Sequence, residues 1–136
     1  MTTAEWLTVL TTTDDEAKAR RLARGAVEAR LAACAQIPTP VTSVYRWEGT
    51  IETADEWQVL FKTTADRYEA LESWLTQAHD YDVPEIIATP VTRGSAAYLE
   101  WVTRETREAG GADAAEKARE TMEAKETGET GETGGD

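Results

Sequence analysis

A chain of 136 residues is long enough for one ordinary domain and too short for two. Its 26 acidic residues against 14 basic ones, a net charge of −12, exclude nucleic acid and anionic membrane surfaces as partners, because nothing neutralises phosphate. One cysteine, Cys34, excludes an internal disulfide framework and a multi-cysteine zinc site.

The acid surplus fits either a protein of a halophilic host, kept soluble in high salt, or a moderately acidic cytosolic protein. No N-terminal apolar run reads as a leader and no stretch approaches a membrane span, so the cytoplasm is the expected compartment.

Ala4–Thr11 reads as a first strand of mixed alternation. The pattern Thr13-Asp14-Asp15-Glu16 supplies a capping box with Thr13 as the cap, and its acids suit the positive end of a helix dipole. The helix that follows places Ala19, Leu22, Ala23, Ala26 and Val27 on one face at helical spacing, with Leu31 beyond. Gly25 weakens it unless the glycine permits a close approach to the sheet. Pro38 and Pro40 then force an irregular start on the second strand.

Val41–Thr63 reads as a long hairpin. β-Branched and aromatic residues dominate both arms, and Glu48-Gly49-Thr50 breaks them. Tyr45 and Trp47 share a face of the first arm; Trp57, Val59 and Phe61 share a face of the second. Arms of about ten residues exceed the usual five or six, so the far end overhangs a small domain and needs cover. A second copy of the chain is the simplest cover.

A second helix opens at Thr64 or Asp66 with Tyr68, Leu71, Trp74, Leu75 and Ala78 inward. His79–Pro84 is a loop, and Glu85–Val91 reads as a short strand buried on both faces. Gly94-Ser95 caps a third helix carrying Tyr98, Trp101 and Val102 on one face. Strand, helix, strand, strand, helix, strand, with right-handed crossovers, is an α+β ferredoxin-like βαββαβ sandwich with an extra C-terminal helix. That domain spans residues 1–107. Residues 108–136 carry nine acids, three bases and a Glu-Thr-Gly repeat, and read as a disordered acidic tail with a transient helix at 112–125.

Five segments in order resemble the CutA divalent-cation tolerance proteins: Arg30–Ala35, Tyr45–Ile51, Leu60–Thr63, His79–Ile86 and Tyr98–Trp101. Together they cover roughly Trp6 to Arg107; the acidic tail has no counterpart. The resemblance implies a tight homotrimer whose hairpins extend the sheets across subunits, no accepted catalytic activity, and a link to tolerance of copper and other divalent metals. It also implies likeness to the PII-type signal proteins, which bind small effectors between subunits, and that is the alternative reading.

Where a copper site is proposed in that family, it uses a strand-end cysteine and two adjacent histidines. Those positions here are Thr11 and Ala78-His79, so only His79 remains as a candidate ligand for copper or another divalent cation. A hydrogen-bonded histidine at a helix C-terminus is the competing reading of His79. Cys34, set among alanines, reads as a small buried hydrophobe rather than a reactive thiolate.

Glu48, Glu56, Asp82 and Glu85 are the carboxylates nearest the aromatic motifs. The candidates for an intersubunit cleft or interface are Tyr45, Trp47, Glu48, Trp57, Lys62, Tyr81 and Glu85, with Trp47 as the anchor. Intersubunit salt bridges are the competing reading for the charged ones. No Ser/His/Asp set, phosphate-cradling glycine loop or nucleotide fingerprint points to an enzyme.

Overall fold

The computed structural model of the protein describes residues 5–107; Ala4 and the acidic tail, with its expected helix, lie outside the described residues. The elements run β1 (Trp6–Thr13), α1 (Glu16–Glu28), β2 (Cys34–Gln36), β3 (Val41–Trp47), β4 (Thr50–Thr64), a 3-10 turn (Ala65–Arg67), α2 (Tyr68–Ala78), β5 (Ile86–Pro90) and α3 (Ala96–Glu105). The described residues form an α+β fold with one antiparallel sheet and three α-helices.

The sheet runs β2-β4-β1-β5, with β3 also paired to β4. β4 is fifteen residues long and organises it. Its Trp57–Thr64 half pairs with β1, and Leu60–Lys62 also take β2. Its Thr50–Glu56 half pairs with β3 alone among the described residues. β2 and β3 are the two pieces of the irregular second strand, parted by Pro38 and Pro40, neither of which has the N–H a ladder needs.

Alternation along the strands sorts the two faces. Val9, Val59 and Phe61 point to one side and are fully buried with Ala19, Leu22 and Ala26 of α1 and Leu71 and Leu75 of α2. On the other side Leu10 lies opposite both Leu60 and Ile87, and none of the three is buried. α3 reaches the end of that second face. The Trp6 indole N–H donates to Leu99 O (3.1 Å) and Thr103 Oγ1 (3.0 Å).

Several local expectations are corrected. The cap of α1 is Asp15, whose carboxylate accepts from the Lys18 N–H at 3.2 Å. Thr13 cannot serve, because it is still in β1, paired with Trp57 and buried. Val27 and Ala78 are exposed rather than inward. β5 is an edge strand with Ile87 open to solvent, not a strand covered on both faces. Gly25 does permit a close approach, but to a helix: a Cβ there would lie 2.7 Å from the Trp74 ring of α2.

Two non-glycine residues among those described adopt the left-handed region. Glu48 (φ 51°) precedes Gly49 (φ 83°) in the two-residue turn between β3 and β4, as a primed turn requires. Arg30 (φ 61°) follows the C-cap of α1, and its guanidinium donates to Arg107 O and Arg104 O, both at 3.1 Å. The strain at Arg30, about 1–2 kcal/mol, is offset by bonds that tie α1 to the end of α3.

Thr11 is fully buried on the core face of β1, and its hydroxyl has no hydrogen-bond partner among the described residues. A buried unpaired hydroxyl is costly, and valine has the same shape without it. Thr11→Val is therefore expected to raise the free energy of unfolding by about 1 kcal/mol in urea titrations. A less stable variant would mean the hydroxyl has a partner in the folded protein.

Candidate functional site

A cleft of about 700 Å³ opens where the hairpin leaves the body of the protein. Three segments wall it. The end of β1 supplies Thr12 and Asp14; the hairpin supplies Ser43, Val44, Tyr45, Trp47, Ala54 and Glu56; the loop after α2 supplies Tyr81, Asp82, Val83 and Glu85. The hairpin register explains its part. Turning at Glu48-Gly49 sets Tyr45 opposite Glu52, Ser43 opposite Ala54 and Val41 opposite Glu56, so Tyr45, Trp47, Ala54 and Glu56 share one face.

His79 shapes the loop. It caps α2 in an extended conformation (ψ 150°), and its N–H donates to Leu75 O at 2.9 Å. Nε2 lies 2.6 Å from Thr12 O, and Nδ1 accepts the Tyr81 N–H at 3.2 Å. A carbonyl only accepts, so the proton sits on Nε2 and Nδ1 is bare. The ring thus fastens the loop to the end of β1 and aims Tyr81 into the cleft, packed against it at 4.7 Å.

The Tyr81 hydroxyl donates to Glu56 Oε2 at 2.7 Å. Burial, then the neighbouring Glu56 carboxylate, pushes the Tyr81 phenol well above the ordinary tyrosine range, so it remains a donor. Glu56 itself is only 7% exposed and forms no ion pair among the described residues. Asp14 differs: Lys18 bridges Asp14 (3.0 Å) and Asp80, and those bonds raise the Lys18 ammonium, the one to Asp80 most. The same bridge lowers Asp80. No Lys, Arg or His among the described residues lines the cleft.

The structure brings Tyr45, Trp47, Tyr81 and Glu85 to this cleft and places the other sequence candidates elsewhere. Glu48 sits exposed at the turn. Trp57 turns to the helix side and packs on the core, because odd positions of β4 face the helices. Lys62, at the far end of β4, donates to Gln36 Oε1 at 2.8 Å. Glu56 and Asp82, named among the carboxylates near the aromatic motifs but not among the cleft candidates, also line it; once the turn is placed at Glu48-Gly49, the register puts Glu56 on the face of Tyr45. Cys34, half-buried, accepts from the Tyr98 hydroxyl at 4.0 Å.

The residues do not fit a resident copper ion. Both His79 ring nitrogens are engaged, Thr11 is sealed in the core, and Ala78 carries no donor. Among the described residues no three His, Cys, Asp or Glu side chains are grouped to hold a metal.

Fold and cleft together define a small antiparallel α+β protein with an acidic, aromatic pocket at the root of a projecting ribbon. The chain belongs to the CutA1 divalent ion tolerance protein family, whose pattern matches residues 7–105. It is 41% identical over 98 residues to the divalent-cation tolerance protein CutA of Thermus thermophilus, covering 72% of this chain and 95% of that one. Protein CutA, chloroplastic, of Arabidopsis thaliana is 38% identical over 100 residues, 74% of this chain and 55% of the relative. The solved CutA structure from Synechococcus elongatus PCC7942 superposes with a TM-score of 0.73 at 41% identity, covering 79% of this chain and 95% of that one.

Because the Tyr81 phenol is raised in the folded protein, its contribution is intact below about pH 10 and is lost as pH climbs above that value, where the unfolded chain ionises first. Unfolding stability is expected to fall above about pH 10 and to fall less steeply in Tyr81→Phe. Tyr68 and Tyr98, also raised, leave a residual slope. Parallel declines in denaturant titrations of the two proteins would contradict the Tyr81–Glu56 assignment.

Proposed function

We propose that this chain is a non-enzymatic protein of divalent-cation tolerance. Its protomer is ferredoxin-like and works as a homotrimer. The family match supports the tolerance role, and the strand order with β1 between β4 and β5 supports the protomer class. The assembly rests on one observation, the outer half of the β3–β4 ribbon. There Val44 is 66% exposed, Ile51 57% and Trp47 42%, and Thr50–Glu56 has a single strand partner among the described residues.

A two-stranded ribbon carrying that much apolar surface is marginal in water, and its open edge invites another strand. The uncovered Leu10, Leu60 and Ile87 face, with Ile87 52% exposed, is a second surface for a neighbouring copy. Three copies, rather than two, follow the family resemblance. An effector-binding PII-type role is not favoured, since the family match is to divalent ion tolerance. The Arabidopsis relative is named chloroplastic, so family membership carries no compartment, and the cytoplasm stays an expectation of the sequence.

Trp47 is the anchor of the proposed contact. Trp47→Ala is expected to weaken association by about 2 kcal/mol or more, seen as a lower average mass by light scattering at micromolar protein. An unchanged mass across a dilution series would count against ribbon-mediated assembly.

A further inference from the structure

Positive charge gathers on one face of this acidic chain, and the tail starts beside it. Arg20, Arg21 and Arg24 share the outer face of α1 and are exposed. Arg20 holds Glu16 at 2.9 Å and Arg24 stands 3.8 Å from Glu28, i,i+4 pairs of the kind that stabilise a helix only slightly. Arg21 has no carboxylate within ion-pair distance among the described residues. Beyond the end of α1 the arginines continue. Arg30 donates to Arg104 O and Arg107 O, and the exposed Arg104 and Arg107 have no carboxylate partner among the described residues. Guanidinium groups left in this state attract carboxylates, which they bind in a two-pronged fork.

The chain outside the described residues sets out from this point. Residues 108–136 follow Arg107 with nine acids against three bases. Gly110-Gly111 permit an immediate reversal of direction. Asp113, Glu116, Glu120 and Glu123 then recur at helical spacing, with Lys117 and Arg119 to either side and Lys125 opposite. As a helix, residues 112–125 span about 21 Å, and the 13 residues of α1 span about 20 Å. A segment that turns back beside Arg30 therefore matches α1 in length and opposes it in charge. Elsewhere the domain's own surplus of acids repels it.

We propose that the acidic tail docks within its own chain, as a helix antiparallel to α1, with its stripe of four acids on the Arg20, Arg21 and Arg24 face. Tethering makes the contact intramolecular, so a few weak ion pairs suffice. The assembly proposed above uses the ribbon and the side of the sheet opposite α1, so it leaves this face open.

The test is paramagnetic relaxation enhancement in the full chain. A nitroxide is placed on Ala17→Cys, exposed near the N-terminal end of α1, in a Cys34→Ser background. At low ionic strength the amide signals of residues 112–125 are expected to be attenuated, most strongly toward 125. They are expected to recover in about 1 M sodium chloride, which screens charges beyond about 3 Å. Arg21→Glu combined with Arg24→Glu is expected to restore them in the same way, with an unchanged circular dichroism spectrum. The salt arm is read on the parent arginines, so it decides the matter even if the double variant fails to fold. Absent attenuation, or attenuation that survives salt or charge reversal, would overturn the proposal, as would attenuation greatest next to Arg107, the mark of a tail diffusing about its attachment. Attenuation of an isotope-labelled chain by nitroxide carried only on other copies would assign the tail to a neighbour and overturn docking within one chain.

Discussion

The structure depends on one strand having to satisfy two different environments. Along β4, Trp57–Thr64 pairs with β1, its Leu60–Lys62 also with β2, and sends Val59 and Phe61 into the helix-covered core, while among the described residues Thr50–Glu56 leans on β3 alone. The inner half is held by buried apolar area and, at Leu60–Lys62, by pairing on both edges. The outer half has neither. Everything of functional interest, the exposed rings, the open edge and the cleft, lies where that support runs out.

The transition between the halves is also where charge is buried. Trp57 is the first residue of β4 paired to β1, and its neighbour Glu56 falls on the opposite face, at the foot of the ribbon. The loop after α2 closes over it because His79 holds Thr12 O with one nitrogen and the Tyr81 N–H with the other. A single imidazole therefore couples the end of the helix layer, the end of β1 and the wall of the cleft. That structural duty explains why the only histidine is a poor metal ligand in a family named for divalent ions.

Much of this was legible in the chain. Gly49 after a β-branched and aromatic run marked the turn, the paired prolines marked the broken second strand, and Ser95 marked the start of α3, where its side chain accepts from the Tyr98 N–H. The misreadings have a common cause: local pattern does not report what lies alongside. Thr13-x-x-Glu16 has the letters of a capping box, but pairing to Trp57 keeps Thr13 extended. Ile86-Ile87-Ala88 has the continuous apolar character of a central strand and lies at an edge. Trp57 looked like a partner of Tyr45 and Trp47, but face parity sends it to the core, and the same parity brings Glu56 to the cleft instead. Gly25 signalled a close approach; only the packing of α1 on α2 shows that Trp74 is what approaches.

The central claim is that the outer ribbon is ordered by other copies of the chain. Sedimentation velocity of the unaltered full chain over a wide dilution series, with circular dichroism on the same samples, tests it most directly. The account predicts a single species of three chain masses that loses its strand signal as it dissociates. Well-folded single chains persisting at high dilution would contradict it.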